Sequence, residues 1–497
     1  MTEPTFHPKR DWRPLAFGVI IAALLIVGVL MRLHQLGLPF DRDGYDEGVY
    51  WQTLMAIAHG KHLYQDIFCS QPPAFLLSIY PVFLLLGKSI WSARLGIACI
   101  SIIGLVGAAI LGDALAGRRG AVAGLLLLLA SPAYLMQSQT LQGEAPSIAL
   151  SLLSVGLAYQ WWKSADKKAG YYFAIFSGMA LSCSIFVKLV GVCAIVPIAI
   201  LVLQKTRQKK NDEEVGDDYS LLAGLVAFLF VCFMFCIPLI KLWDEFWHSA
   251  VRMYTTAQVV FHNSQSDNIS LLQKVLFAPL GIAALCGTIF TIKLRDNRIF
   301  PLIGWLVVTL WMLWSKVPLF DHHLLSLIPP LIALVVLGIV GIAGKSNVSK
   351  ISVNKIIPYA IVGIIVLVDG VQILRYYQDQ RSHAMKQNVV ITSVVFDLKD
   401  HTSANQQIIT DAPFLAALAN RQLPATLVDT SMVRVMTGFV TTEQLIKEAN
   451  NPQVGAILFY SGRFNLKNTE DFHEWVVSHY RLARSYGHGK ELWVKRS

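Results

Sequence analysis

The sequence predicts an all-α polytopic membrane protein of about eleven transmembrane helices, with interfacial helices in the first external loop and a small C-terminal extracytoplasmic α/β domain. Three observations carry that prediction. Of the 497 residues, 54% are hydrophobic and only 15% are charged, with a mean hydropathy of +0.51, whereas soluble domains carry about 25% charged residues. The apolar residues gather in runs long enough to cross about 30 Å of hydrocarbon. From Tyr376 onward the runs give way to alternating strand-like and helical segments.

The first run, Leu15 to Met31, follows Lys9, Arg10 and Arg13 and lacks a small-residue cleavage site. It reads as an uncleaved signal anchor with a cytoplasmic N-terminus. Further runs lie near 90–115, 120–136, 145–162, 171–187, 189–204, 219–242, 273–292, 299–315, 323–343 and 356–375. Ala74 to Leu86 is short for a span and starts straight after Pro72-Pro73. Charge parity assigns it, because one extra crossing inverts every later loop. If it lies on the membrane surface, fifteen positive charges face the cytoplasm: Arg118-Arg119, Lys163 with Lys167-Lys168, Lys205 with Arg207 and Lys209-Lys210, Lys293 with Arg295 and Arg298, and Lys345 with Lys350 and Lys355. The opposite loops then hold only Lys88, Lys188, Lys241, Arg252 and Lys316. The stretch is therefore predicted to be an interfacial helix.

After the last span come strand-like runs at Gln407 to Thr410, Gly455 to Tyr460 and Glu491 to Val494, and helical runs at Pro413 to Ala419, Thr442 to Ala449 and Glu470 to His479. Residues 1–375 are thus expected to form the membrane domain and 376–497 the α/β domain. The acidic stretch Asn211 to Asp218 reads as a solvated cytoplasmic loop.

Several function classes lose support here. The formal charge of +10 falls between apolar runs instead of forming one stripe, which argues against nucleic acid. Seven cysteines are too few for a disulfide framework, and all but Cys69 lie in apolar runs. Walker, GxGxxG, HExxH, paired CxxC and GxSxG motifs are all lacking.

What remains is polar residues at the outer ends of the spans. The densest group is Asp41-Arg42-Asp43-Gly44-Tyr45-Asp46-Glu47-Gly48-Val49-Tyr50-Trp51. Aromatic residues draw these acids to the interface. On a helix Asp46 and Glu47 point about 100° apart and cannot address one atom, so one is suited to act as base while its neighbour orients or binds. A role as N-cap or helix-start acid is the competing explanation for Asp46. Glu144, in Gly143-Glu144-Ala145-Pro146, is equally readable as a helix-start acid. Lys188 is readable as a snorkelling lysine or a phosphate contact. His322-His323 suit hydrogen bonding to an anionic head group better than joint metal ligation. The loop with Asp244, Glu245, His248, Arg252 and Tyr254, and the sequon Asn268-Ile269-Ser270, are compatible with an acceptor path.

Taken together, Asp46-Glu47 with Tyr50, Gln71-Pro72-Pro73, Arg94, Ser131-Pro132, Glu144-Ala145-Pro146, Lys188 and His322-His323 followed by Pro329-Pro330 resemble the polyprenyl- or dolichyl-phosphate-sugar-dependent glycosyltransferases of the GT-C fold. That superfamily includes protein O-mannosyltransferases and the aminoarabinose and lipopolysaccharide-core transferases. The resemblance covers residues 10–345. It implies inverting transfer of a sugar from a polyprenyl-phosphate donor to a hydroxyl of a glycan, lipid or protein, outside the cytoplasm. By that resemblance Asp46 is the base or acceptor-orienting acid and Glu47 its partner. Asp43, Tyr50, Glu144, Lys188, His322 and His323 bind substrate, the last three near the leaving phosphate. The family often has Asp where this chain has Glu144. No cofactor is required by the sequence; a divalent cation is compatible with the acids of the first loop, with no ligand set fixed. The alternative is a transporter or flippase of lipid-linked or small solutes, but such proteins place ionisable residues near the midplane on broken helices.

Overall fold

Charged and proline positions interrupt the apolar runs, and several helices open on them: Pro73, Pro132, Glu144, Lys167 and Pro279 are each a first helical residue. The computed structural model describes residues 13–211, 219–261, 265–341 and 353–496. Lys9, Arg10, the acidic stretch 212–218, Lys345 and Lys350 lie outside these, as do the side chains of Arg13, Lys209, Lys210 and Lys355. The helices that position the site are α1 (Arg13–Leu33), α2 (Asp46–Ala58), α3 (Pro73–Leu85), α4 (Ile90–Leu129), α5 (Pro132–Ser138), α6 (Glu144–Lys163) and α7 (Lys167–Val187).

Among the described residues seven helices are long and apolar enough to cross a membrane, or eight if Ser266–Leu276 and Pro279–Lys293, bent by 78°, form one span. The chain is a multi-pass membrane protein. The difference from eleven has three sources. The expected run near 90–115 and most of that near 120–136 lie in α4, whose helical backbone is interrupted at Ala116 and Gly117, the latter at φ +64°. A Cβ at Gly124 would stand 2.7 Å from Ala108 O, so the halves of α4 double back on each other through glycine-to-backbone contact. Ile299–Ser315 has only 17 residues. Helix α6 is less apolar because Ser147, Ser151 and Ser154 punctuate it, all buried against α7.

Helix α3 is a 13-residue helix with Pro81 inside, shorter than a span as expected. The expected loop Trp243 to Asn268 is instead largely helical, as Trp243–Trp247 and Met253–Val260 continue the helix Ser220–Cys236. Asn268 is 2% exposed and its amide donates to the carbonyls of Trp314 and Lys316 at 3.0 and 2.9 Å, so the sequon is used structurally.

The last long helix runs from Val353 to His401. Its 49 residues extend about 74 Å at 1.5 Å per residue, well beyond the bilayer. Position 376 lies inside it, because 376–401 contain neither Pro nor Gly. The sheet that follows has strand order β1-β2-β4-β3, with β1 (Gln407–Thr410) parallel to β2 (Val454–Phe459) and β4 (Lys490–Lys495) antiparallel to β2 and to β3 (Tyr480–Gly487). One face packs Ile408, Leu458 and Leu492 against Val394 and Leu398 of the long helix. The other packs Ile409, Ile457 and Trp493 against Leu445 of Thr442–Ala449 and Val476 of Phe472–His479. Strand β3 was not expected: its side chains are mostly exposed, and Arg481, Arg484 and Ser485 hide the alternation.

Candidate active site

The first-loop acids divide into separate roles. Asp41 Oδ1 accepts from the N–H groups of Asp43 and Gly44, both at 3.2 Å. Asp43 Oδ1 accepts from Tyr45 at 3.0 Å and Asp46 at 2.9 Å. The turn into α2 is therefore closed by Asp41 and Asp43, and Asp46, first residue of α2, makes no cap. Gln142 donates its amide to Asp43 Oδ2 and, at 3.3 Å, to Asp46 Oδ2. Burial, then repulsion from Asp43, push the Asp46 carboxyl well above the usual carboxylate range, with Lys188 opposing. Burial and the nearby Asp41 do the same to Asp43.

Glu47, expected as the partner of Asp46, turns the other way and does not line the cavity. Its Oε1 accepts from Arg94 Nε and Leu141 N, each at 2.8 Å. Its Oε2 accepts from Arg42 N at 2.7 Å and Arg94 Nη2 at 2.5 Å. Arg94 spends its remaining donors on the carbonyls of Leu36, Leu38 and Phe40 at 2.9, 2.8 and 2.7 Å. A carboxylate surrounded by four donors is a poor proton acceptor. Burial raises its pKa, but the Arg94 charge and these bonds outweigh that and hold it below the ordinary value.

A second cluster forms where α6 and α7 run side by side. Ser147 Oγ donates to Ser184 O at 3.0 Å, Ser184 Oγ to Ser147 O at 2.8 Å, and Ser154 and Ser177 exchange the same bonds at 2.8 and 2.9 Å. That pairing sets Glu144, first residue of α6, beside Lys188, where α7 breaks into extended backbone. Lys188 Nζ pairs with Glu144 Oε1; His322 Nε2 lies 3.5 Å and His323 Nε2 3.9 Å from the same oxygen. Lys316 Nζ meets His323 Nε2 at 2.8 Å. Glu144, His322 and His323 offer ligand atoms within 4.8 Å of one another, a geometry that suits a metal ion. Two of those ligand atoms already have an amine as partner, Glu144 Oε1 that of Lys188 and His323 Nε2 that of Lys316.

Asp43, Asp46, Tyr50, Lys188, His322 and His323 all line one cavity of about 480 Å³. Glu144 lines an adjoining cavity of about 310 Å³, whose walls include Ile148, Leu189, Val190, Val251 and Leu313. Gln71, Lys188, Tyr254, Lys316 and His323 border both. Of the expected external-loop group, Tyr254 alone reaches the main cavity; Asp244, Glu245 and His248 line a separate cleft. Sequence reasoning missed Lys316 as a site residue, and Asp429, Ser431 and Arg463, which the C-terminal region adds to the wall. An amine in a stretch bounded by apolar runs was the available signal for Lys316. None pointed to the other three.

The sequence profile of the dolichyl-phosphate-mannose-protein mannosyltransferase family matches residues 70–235. No curated protein sequence matches significantly. Among solved structures, ArnT from Cupriavidus metallidurans in the apo state is similar at 14% identity and a TM-score of 0.65, over 97% of this chain and 98% of that one. The same protein bound to undecaprenyl phosphate gives a TM-score of 0.63 at 14% identity, over 98% and 99%. The Archaeoglobus fulgidus oligosaccharyltransferase in its apo form is similar at 11% identity and a TM-score of 0.56, over 94% of this chain and 72% of that one. The chain has the GT-C glycosyltransferase fold.

Proposed function

We propose that this chain is an inverting glycosyltransferase that moves a sugar from a polyprenyl-phosphate donor to a hydroxyl acceptor at the extracytoplasmic face of the membrane. One observation carries the reading: a half-buried carboxylate, Asp46, and two lysines, Lys188 and Lys316, line one cavity, and an apolar cavity adjoins it on the lysine side. The lipid occupies the apolar cavity, and its phosphate lies against the lysines and His322 and His323. The Asp46 carboxylate takes the acceptor proton while the acceptor oxygen bonds to the anomeric carbon from the face opposite the phosphate. The bond from that carbon to the phosphate oxygen breaks, and polyprenyl phosphate leaves with the electron pair. A raised pKa suits Asp46 to this work, because a base is most effective near the working pH. Lys188 and Lys316 supply the positive charge that the departing phosphate needs, where little water competes.

Asp43 and Gln142 hold Asp46 in place, and Tyr50 shapes the wall beside it. A divalent cation at Glu144, His322 and His323 is not needed for the charge balance. Asp46→Asn keeps the shape and removes the base. We expect transfer from a lipid-phosphate-sugar donor to fall about 10²–10⁴-fold, with expression and polyprenyl-phosphate binding retained. Transfer at the unmodified rate in that variant rejects the assignment.

A further inference from the structure

The transfer reading uses two of the cations in the main cavity and leaves a third without a task. Arg463 lines the polar cavity and not the apolar one. It comes from the C-terminal region, on a turn whose backbone is pinned from beneath. Asp411, fully buried, accepts from the N–H groups of Tyr460 at 2.8 Å, Ser461 at 3.1 Å and Arg463 at 2.9 Å. The guanidinium carbon stands 3.7 Å from the centroid of the Tyr45 ring. Tyr45 is itself fixed, its hydroxyl accepting from Thr430 N at 2.7 Å, and it directly precedes Asp46.

The guanidinium is thus held in place by a pinned turn and a fixed ring, yet its own donors are unused. Among the described residues it makes no hydrogen bond or ion pair, and its Nε is buried without a partner. Asp429, the acid of this region in the same wall, accepts at Oδ1 from Ser431 N at 2.8 Å, and the buried Arg434 is the cation whose charge it acts on. Arginine keeps its charge at any working pH and offers paired donors that match the oxygens of phosphate or carboxylate. The lipid phosphate already has Lys188 and Lys316 at the border of the apolar cavity.

We propose that Arg463 is the recognition site for an oxyanion, phosphate or carboxylate, on the second substrate, so that the preferred acceptor carries its own negative group close to the reacting hydroxyl. This rests on the transfer reading above. Specificity for the acceptor then resides in the C-terminal region, and the chemistry in the membrane domain.

The test uses the full chain in detergent, first saturated with a short-chain polyprenyl phosphate. Inorganic phosphate and glucuronate are then titrated separately by calorimetry. The expected result is that at least one of them binds with the lipid phosphate in place, and that R463Q weakens it about tenfold or more while polyprenyl-phosphate affinity stays within about twofold. The stronger of the two ligands identifies the class of oxyanion. Absence of binding by both, or equal binding to R463Q, overturns the proposal. If R463Q also loses the lipid phosphate, R463K decides: a weakened second anion supports the fork, and an unchanged one overturns it. Failure of the unsubstituted protein to bind polyprenyl phosphate instead refutes the donor reading, before Arg463 is tested.

Discussion

Asp46 and Glu47 are neighbours in the chain, and their surroundings give them opposite tasks. Glu47 lies with Arg94 where neither is exposed, and its four accepted bonds tie the first loop to α4 and to Leu141. Removing one partner of such a pair leaves the other charge buried, at a cost of about 3–5 kcal/mol. Glu47→Gln should therefore show its damage as a lower unfolding temperature and poor yield. A variant of full thermal stability that loses only turnover would return Glu47 to catalysis. Lys316 makes a different prediction. Burial, then the charge of Lys188, lower its pKa to about 7. Its neighbours are polar as well: Lys316 Nζ lies 2.8 Å from His323 Nε2, and the other ring nitrogen of His323 accepts from Phe320 N–H at 3.1 Å. Charge on Lys316 is lost as pH rises through about 7, and the base form of Asp46 is lost as pH falls through its raised pKa. The kcat/KM profile should be bell-shaped. Lys316→Arg keeps the charge and should remove the alkaline limb; a limb unchanged in that variant would tie it to another group.

At the scale of elements, the site depends on close approach. Gly48, two residues after Asp46, faces the backbone of Phe414, and a Cβ there would overlap the Phe414 nitrogen. That contact lets the helix Pro413–Leu418 seat directly on α2. Gly48→Ala must push the two apart, at about 1–3 kcal/mol of overpacking strain. The expected outcome is a lower unfolding temperature together with reduced transfer, because α2 carries Asp46 at its first residue; an unaltered melting profile would show that the contact yields freely. What the sequence disclosed follows the same physics. Charge in an apolar chain is costly, so the acids of the first loop, Glu144, Lys188 and the histidines were conspicuous, and the structure gathers all but Asp41 and Glu47 around two adjoining cavities. The direction in which Glu47 points was not legible, because Arg94, 47 residues away, sets it. Arg463 and Asp429 were also hidden, since they arrive by packing of a polar region in which single charges are ordinary.

Across the whole molecule, the start of α4 meets the first loop through Arg94 and Glu47, and the C-terminal region meets that loop through Thr430 and Tyr45, whereas Gly117 and Arg118-Arg119 stand beyond the far end of the first half of α4. The 26 residues from Ile90 to Leu115 advance about 39 Å at 1.5 Å each, enough to cross the hydrocarbon. Whichever face Arg119 occupies, the C-terminal region should occupy the other. The positive-inside rule assigns Arg118-Arg119 to the cytoplasm. In a background without native cysteines, Arg119→Cys should react with a membrane-impermeant maleimide only after permeabilisation. Lys447→Cys, exposed on the helix Thr442–Ala449, should react in intact cells. The reverse pattern would keep the fold and turn the active site toward the cytoplasm, where nucleotide sugars are at hand and a lipid-linked donor has no advantage. Labelling of both positions from the same side would break the α4 crossing itself. The pair of substitutions therefore separates an error in sidedness from an error in topology, and the lipid-donor mechanism depends on the first being absent.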